Sequence, residues 1–177
     1  SSLGGRPGQN SFAGDGDAAT ISISGGVLRV DAAGDGIDSN GSLQISGGTV
    51  YVDGPTDGGN GALDYDGSGE ISGGTVVAAG STGMAMGFTS GSTQGSILCN
   101  FPSSVAAGSE FVLKDSAGNT QKAYQSVAVS CPAMKQGEKY TLYAGSQTAE
   151  VTLTSLTATY GQGGMGGAPG QQGGKMR

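Results

Sequence analysis

Between Ile23 and Ala78 the chain writes one pattern of apolar and polar positions three times. Ile23-Ser24-Gly25-Gly26-Val27-Leu28-Arg29-Val30 is followed by Ile45-Ser46-Gly47-Gly48-Thr49-Val50-Tyr51-Val52, then by Ile71-Ser72-Gly73-Gly74-Thr75-Val76-Val77-Ala78. The copies start 22 and 26 residues apart, a rung length for a stacked repeat. Within each copy alternate side chains share a face, as a strand requires. Leu28 and Val30 therefore align with Val50 and Val52, and with Val76 and Ala78, as an apolar inner stack. Ile23, Ile45 and Ile71 make a second stack. Val27, Thr49 and Thr75, and likewise Arg29, Tyr51 and Val77, must point outward. The Gly-Gly pair supplies positive φ or a corner too tight for a Cβ.

This pattern predicts an all-β chain: a right-handed parallel β-helix of about three rungs over residues 20–98, followed by a small antiparallel β module over 99–160. In the module, residues 110–115 and a following strand read as a hairpin around Ser116–Asn119. Tyr124–Ser130 reads as another strand, and Tyr140–Tyr143 pairs with Glu150–Leu153 across the turn at 144–147. The module is expected to cap one end of the stack. Residues 1–19 form a Gly-rich N-terminal segment and 161–177 a Gly/Met-rich tail, neither with a core of its own. No secretory leader is visible and the chain begins without methionine, so it is read as a processed or excised piece of something longer.

Composition changes that picture little. Thirty-seven glycines and 12% charged residues would suggest low complexity, but the glycines recur at fixed places in a period. A net charge of −6 argues against nucleic acid and anionic membranes as partners. No apolar run approaches membrane length, so no membrane insertion is expected. The absence of histidine and tryptophan removes the commonest general base, a common zinc ligand and the strongest sugar-stacking side chain. Cys99 and Cys131 each end an apolar strand-like run. They are either inert thiols or, in an extracytoplasmic chain, a disulfide contributing roughly 3–4 kcal/mol.

The candidate chemistry is acidic. Counting back from each following isoleucine aligns Asp38 with Asp64, Asn40 with Asp66, and Ile37 with Leu63. Asp35, Asp38, Asn40, Asp64 and Asp66 are hard oxygen donors from adjacent rungs, which lie about 4.8 Å apart. Carboxylates that close repel each other, and calcium accepts six to eight oxygens in irregular geometry. The alternative is that these residues satisfy corner backbone groups as Asx turns. Sugar binding needs an aromatic face with convergent polar groups. Tyr51, outward on its strand, and Tyr65, beside the acidic ladder, are the aromatic candidates, the alternative being that outward tyrosines merely cover a flat sheet face; Arg29, one rung from Tyr51, could pair with a uronate.

The passages Gly34–Gly41, the thrice-used Ile-Ser-Gly-Gly, Gly54-Pro55-Thr56, Asn60–Gly67, Gly83-Met84-Ala85, Ser92–Ile97 and Lys122–Val127 together resemble a bacterial family of secreted carbohydrate-binding proteins. That family includes clostridial cellulose- and acidic-sugar-binding members whose fold is similar to calcium-dependent polysaccharide lyases. The resemblance spans about residues 20–160 and implies a right-handed parallel β-helix with bound calcium, displayed outside the cell. The chain departs from it in lacking further Asp-rich rungs ahead of residue 20 and in carrying two cysteines.

The expected function is therefore non-catalytic, calcium-dependent binding of cellulose or a pectin-like acidic glycan, in the extracellular space or at the cell surface. A lyase would need a strong base beside the metal. All five lysines lie outside the rungs, and Arg29 is not on the acidic side. The other reading is assembly: a short stack leaves an unpaired strand edge that invites a second chain, as a homo-oligomer or an end-to-end filament.

Overall fold

A computed structural model describes residues 19–106, 109–114, 121–122 and 126–162. The described residues contain strands and turns and no helix. β1 (Thr20–Asp31), β3 (Ser42–Asp53) and β5 (Gly69–Gly80) carry the three sequence copies and lie side by side in parallel. The register is the one the repeat predicts: Ile23 beside Ile45 beside Ile71, and Leu28 beside Val50 beside Val76. Between successive long strands the chain crosses to a second, narrow sheet, where β2 (Ile37–Ser39) pairs in parallel with β4 (Leu63–Tyr65). Apolar residues of both sheets meet in one core: Leu43, Ile45, Val50, Val52, Ile71 and Val76 from one side, Ile37, Leu63 and Tyr65 from the other.

The Gly-Gly pairs use both properties that glycine offers. Gly26, Gly48 and Gly74 adopt φ of +78°, +87° and +87°, which strains any residue with a Cβ. The glycine before each one has a different job. A Cβ on Gly47 would lie 2.5 Å from the Ser24 carbonyl oxygen, and one on Gly73 would strike that of Ser46. Each pair makes a bulge, with the ladder shifting register at Ser24 and again at Ser46. The bulge keeps both apolar halves of a twelve-residue strand facing inward.

After β5 the parallel order ends. β6 (Ser96–Asn100) does not lie against β5; β9 (Ser126–Ser130) inserts between them, antiparallel to both. β12 (Thr157–Tyr160) then adds in parallel to the far side of β6, giving the mixed order β1-β3-β5-β9-β6-β12. The expected division at 98/99 thus falls inside β6, and the later segment contributes two strands to the first sheet. The rest of that segment forms an antiparallel sheet of β7 (Glu110–Lys114), β8 (Gln121–Lys122), β10 (Lys139–Ala144) and β11 (Gln147–Thr152), ordered β11-β10-β7-β8. The β7–β8 and β10–β11 pairings are those the sequence predicts. The turn expected at Ser116–Asn119, residues 1–18 and residues 163–177 lie outside the described residues.

The antiparallel sheet covers the outward face of the first one. Phe111, Leu113, Leu142, Ala144, Ala149 and Val151 pack on Val77, Ala79, Ile97, Cys99 and Val129. Val77, an outward residue of the third copy, is consequently buried.

Candidate functional site

Alternation in the short strands sets the acidic corner. In β2, Ile37 and Ser39 are buried and Asp38 is exposed; in β4, Leu63 and Tyr65 are buried and Asp64 is half-buried. The strands pair Asp38 directly with Asp64, as the count from the isoleucines predicts. Neighbouring strands lie about 4.8 Å apart, so two carboxylates stand side by side on the outer face. The Asp66 N–H donates to the Ser39 carbonyl (3.1 Å), which carries the pairing past the end of β4 and brings exposed Asp66 to the level of exposed Asn40.

Asp35 joins the corner through a structural bond. Its Oδ1 accepts the Gly61 N–H at 2.8 Å, tying the loop before β2 to the loop before β4. Burial, then the charges of Asp35, Asp38 and Asp66, raise the Asp64 carboxyl above its usual range; a backbone hydrogen bond at Tyr65 opposes them. A carboxylate held this way keeps its proton more tightly than a solvated one. Among the described residues no three acidic or thiol side chains are grouped so that they could by themselves hold a metal ion. The corner is an open row of oxygens, half of it facing water.

Three expected site residues lie elsewhere. Tyr65 cannot offer a sugar-stacking face: it is 4% exposed, within the core, and its hydroxyl donates to the Gly87 carbonyl. The alternation that turns Asp64 outward turns Tyr65 inward, and burial pushes its hydroxyl up to about 12. Tyr51 and Arg29 do sit side by side in adjacent strands, with the guanidinium carbon 4.5 Å from the ring centroid. They occupy the outward face of the large sheet, where half-buried Tyr51 borders the core under the antiparallel sheet. The inner core lies between this pair and the acidic corner, so the two do not form one site.

The expected disulfide is absent; both cysteines are free. In the β6–β9 ladder Cys99 lies opposite Val127, whereas Cys131 follows Ser130, the partner of Ser96. Four residues of strand separate the two thiols, on the order of 13 Å, well beyond the roughly 4.4–6.8 Å Cα spacing of a bridge. Cys99 is fully buried, which pushes its thiol up to about 12.

Compared with family models, curated proteins and solved structures, the chain matches none.

Sequence reasoning passed over two acidic features. Asp57 folds the loop beside the corner: its Oδ1 accepts from the Gly59 N–H (2.9 Å) and from Asn60 Nδ2 (3.0 Å). The Asp-Gly-Gly-Asn string is the signal for that turn. Asp31 and Asp53 also pair in register, at the ends of β1 and β3. Their place directly after Val30 and Val52 in the repeat could have revealed them.

Proposed function

We propose that β1 to β5 are a short right-handed parallel β-helix of about three rungs. The chain is a non-catalytic, calcium-dependent binder of polysaccharide, cellulose or a pectin-like acidic glycan, acting outside the bacterial cell. The observation that carries this reading is the in-register Asp38–Asp64 pair, where burial and then the charges of Asp35, Asp38 and Asp66 raise the Asp64 carboxyl. A divalent cation relieves that repulsion, and carboxylate and amide oxygens are the donors calcium prefers. Asp38, Asp64, Asp66 and Asn40 would hold the ion; Asp35 already accepts a backbone hydrogen bond and would steady the loops. Open to water on its outer side, an ion there could take carboxylate or hydroxyl oxygens of a sugar as further ligands. The resemblance of residues 20–160 supports a glycan as that ligand.

A binding role fits better than catalysis. Arg29, the one base within the three copies, lies across the core from the carboxylates. Arg29 over Tyr51 would serve instead as a separate contact for a uronate on an extended glycan.

Isothermal calcium titration of the native chain and of Asp38→Asn/Asp64→Asn tests the reading. Saturable binding that the double variant loses supports it. Equal heats from both proteins would reduce these residues to turn formers.

A further inference from the structure

The first rung is built to be covered. At Leu28 the side chain is 37% exposed, whereas its partners Val50 and Val76 are fully buried. Ile21, Ile23 and Val30 are only partly buried, and Val27 is 68% exposed. Among the described residues β1 has a strand neighbour on one side only. Gly25 is the clearest sign. Its counterparts Gly47 and Gly73 are glycines because the backbone of the preceding strand lies against them; among the described residues there is nothing within 4 Å of a Cβ at Gly25, and its φ is not positive. The close-approach position is present, and no strand of the described residues approaches it.

We infer that β1 pairs with β1 of a second copy of this chain, antiparallel, across a two-fold axis between Gly25 and Gly26. The pattern of β1 is self-complementary about that point. Ile21 of one copy falls opposite Val30 of the other, and Ile23 opposite Leu28, so inward apolar residues meet inward apolar residues. Outward positions match likewise, Ser22 with Arg29 and Ser24 with Val27. The Gly-Gly bulge makes this possible, because it returns both halves of the strand to the same face.

Charge permits the contact. In a chain of net charge −6, β1 carries one cation, Arg29, and one anion, Asp31, and this register sets neither against its own kind. Twelve residues of β1 run for about 40 Å, and two sheets about 10 Å apart give the end its depth. The joint would bury on the order of 800 Å² in total, the size of a weak, reversible interface. The opposite edge of the large sheet is a poorer partner. β12 has four residues and none of the exposed large apolar side chains. A closed pair therefore satisfies the open end better than a chain of copies joined β1 to β12.

Sedimentation of the full chain over a wide concentration range tests the inference, together with Gly25→Val. A Cβ there meets nothing within 4 Å among the described residues of one chain, and the valine would collide at the two-fold axis. The expected result is twice the chain mass for the native protein and a single-chain mass for the variant, with matching circular dichroism. In parallel, Ser22→Cys with Arg29→Cys should form a covalent dimer under mild oxidation. The two positions lie roughly 23 Å apart within one strand and cannot bridge internally. A native protein with the mass of one chain at every concentration would overturn the inference. So would mass that grows without limit, a dimer that persists in Gly25→Val, or the failure of the cysteine pair to cross-link.

Discussion

Asp64→Asn is the substitution that best separates a strained acidic corner from a row of turn residues. Two unit charges at the roughly 5 Å spacing of paired strands repel by about 1 kcal/mol in water and by several times that near a protein surface. Asp38 is exposed and Asp64 half-buried, so solvent screening favours the lower end, about 1 kcal/mol. Asparagine keeps the shape and an acceptor oxygen and removes the charge. In chelator at pH 7 the variant should therefore be the more stable protein, its unfolding midpoint higher by about 2–4 °C. In calcium the order should reverse. Ligand at a hundred times its dissociation constant adds about 2.7 kcal/mol to the native chain and little to a variant whose site is broken. The assay is thermal unfolding followed by circular dichroism, run on both proteins in both conditions. A variant less stable than the native chain in chelator would refute the reasoning, because the Asp64 carboxylate would then be stabilising the corner, not straining it.

Other outcomes follow from the same structure. The raised Asp64 carboxyl means that the folded chain binds that proton more tightly than the unfolded one. Its contribution is thus full at acid pH and lost as pH rises through the folded value, so calcium-free stability should fall across that range in the native chain and less in Asp64→Asn. Tyr65→Phe removes a buried hydroxyl and leaves the Gly87 carbonyl without its donor, which should cost about 1–3 kcal/mol in denaturant unfolding without changing calcium uptake. Gly48→Ala forces a Cβ onto a residue at φ +87° and against the Gly25 and Gly26 backbone, and should lower stability by about 2 kcal/mol or more. Reducing agent should leave the unfolding midpoint unchanged, and alkylation of the folded chain should modify Cys131 while sparing buried Cys99.

The parallel stack was readable because it is periodic: Ile23, Ile45 and Ile71 announce a register that the ladder follows residue by residue. Asp38 and Asp64 could be paired for the same reason. Tyr65 was misjudged although its signal was present, since Leu63 inward and Asp64 outward leave the next residue only the inward side. The insertion of β9 between β5 and β6 had no such signal. Val127-Ala128-Val129 fits any apolar strand, and nothing local names partners some fifty residues earlier in the chain and thirty residues earlier. The fate of the outward row followed from that gap. Arg29, Tyr51 and Val77 are equivalent in the repeat, yet only Val77 is fully covered by the antiparallel sheet, so a stripe that looks uniform in sequence becomes graded. The cysteines depended on the same unseen pairing, because the β6–β9 register alone sets them apart.

The central claim is that a calcium ion at the acidic corner links this chain to a polysaccharide. Retention of the native protein on insoluble cellulose and on cross-linked pectate, measured in calcium and in excess chelator, tests it directly. The account predicts retention on at least one of them that requires calcium and disappears in Asp38→Asn/Asp64→Asn. Retention on neither glycan in calcium, or retention that survives both chelator and the double variant, would contradict it.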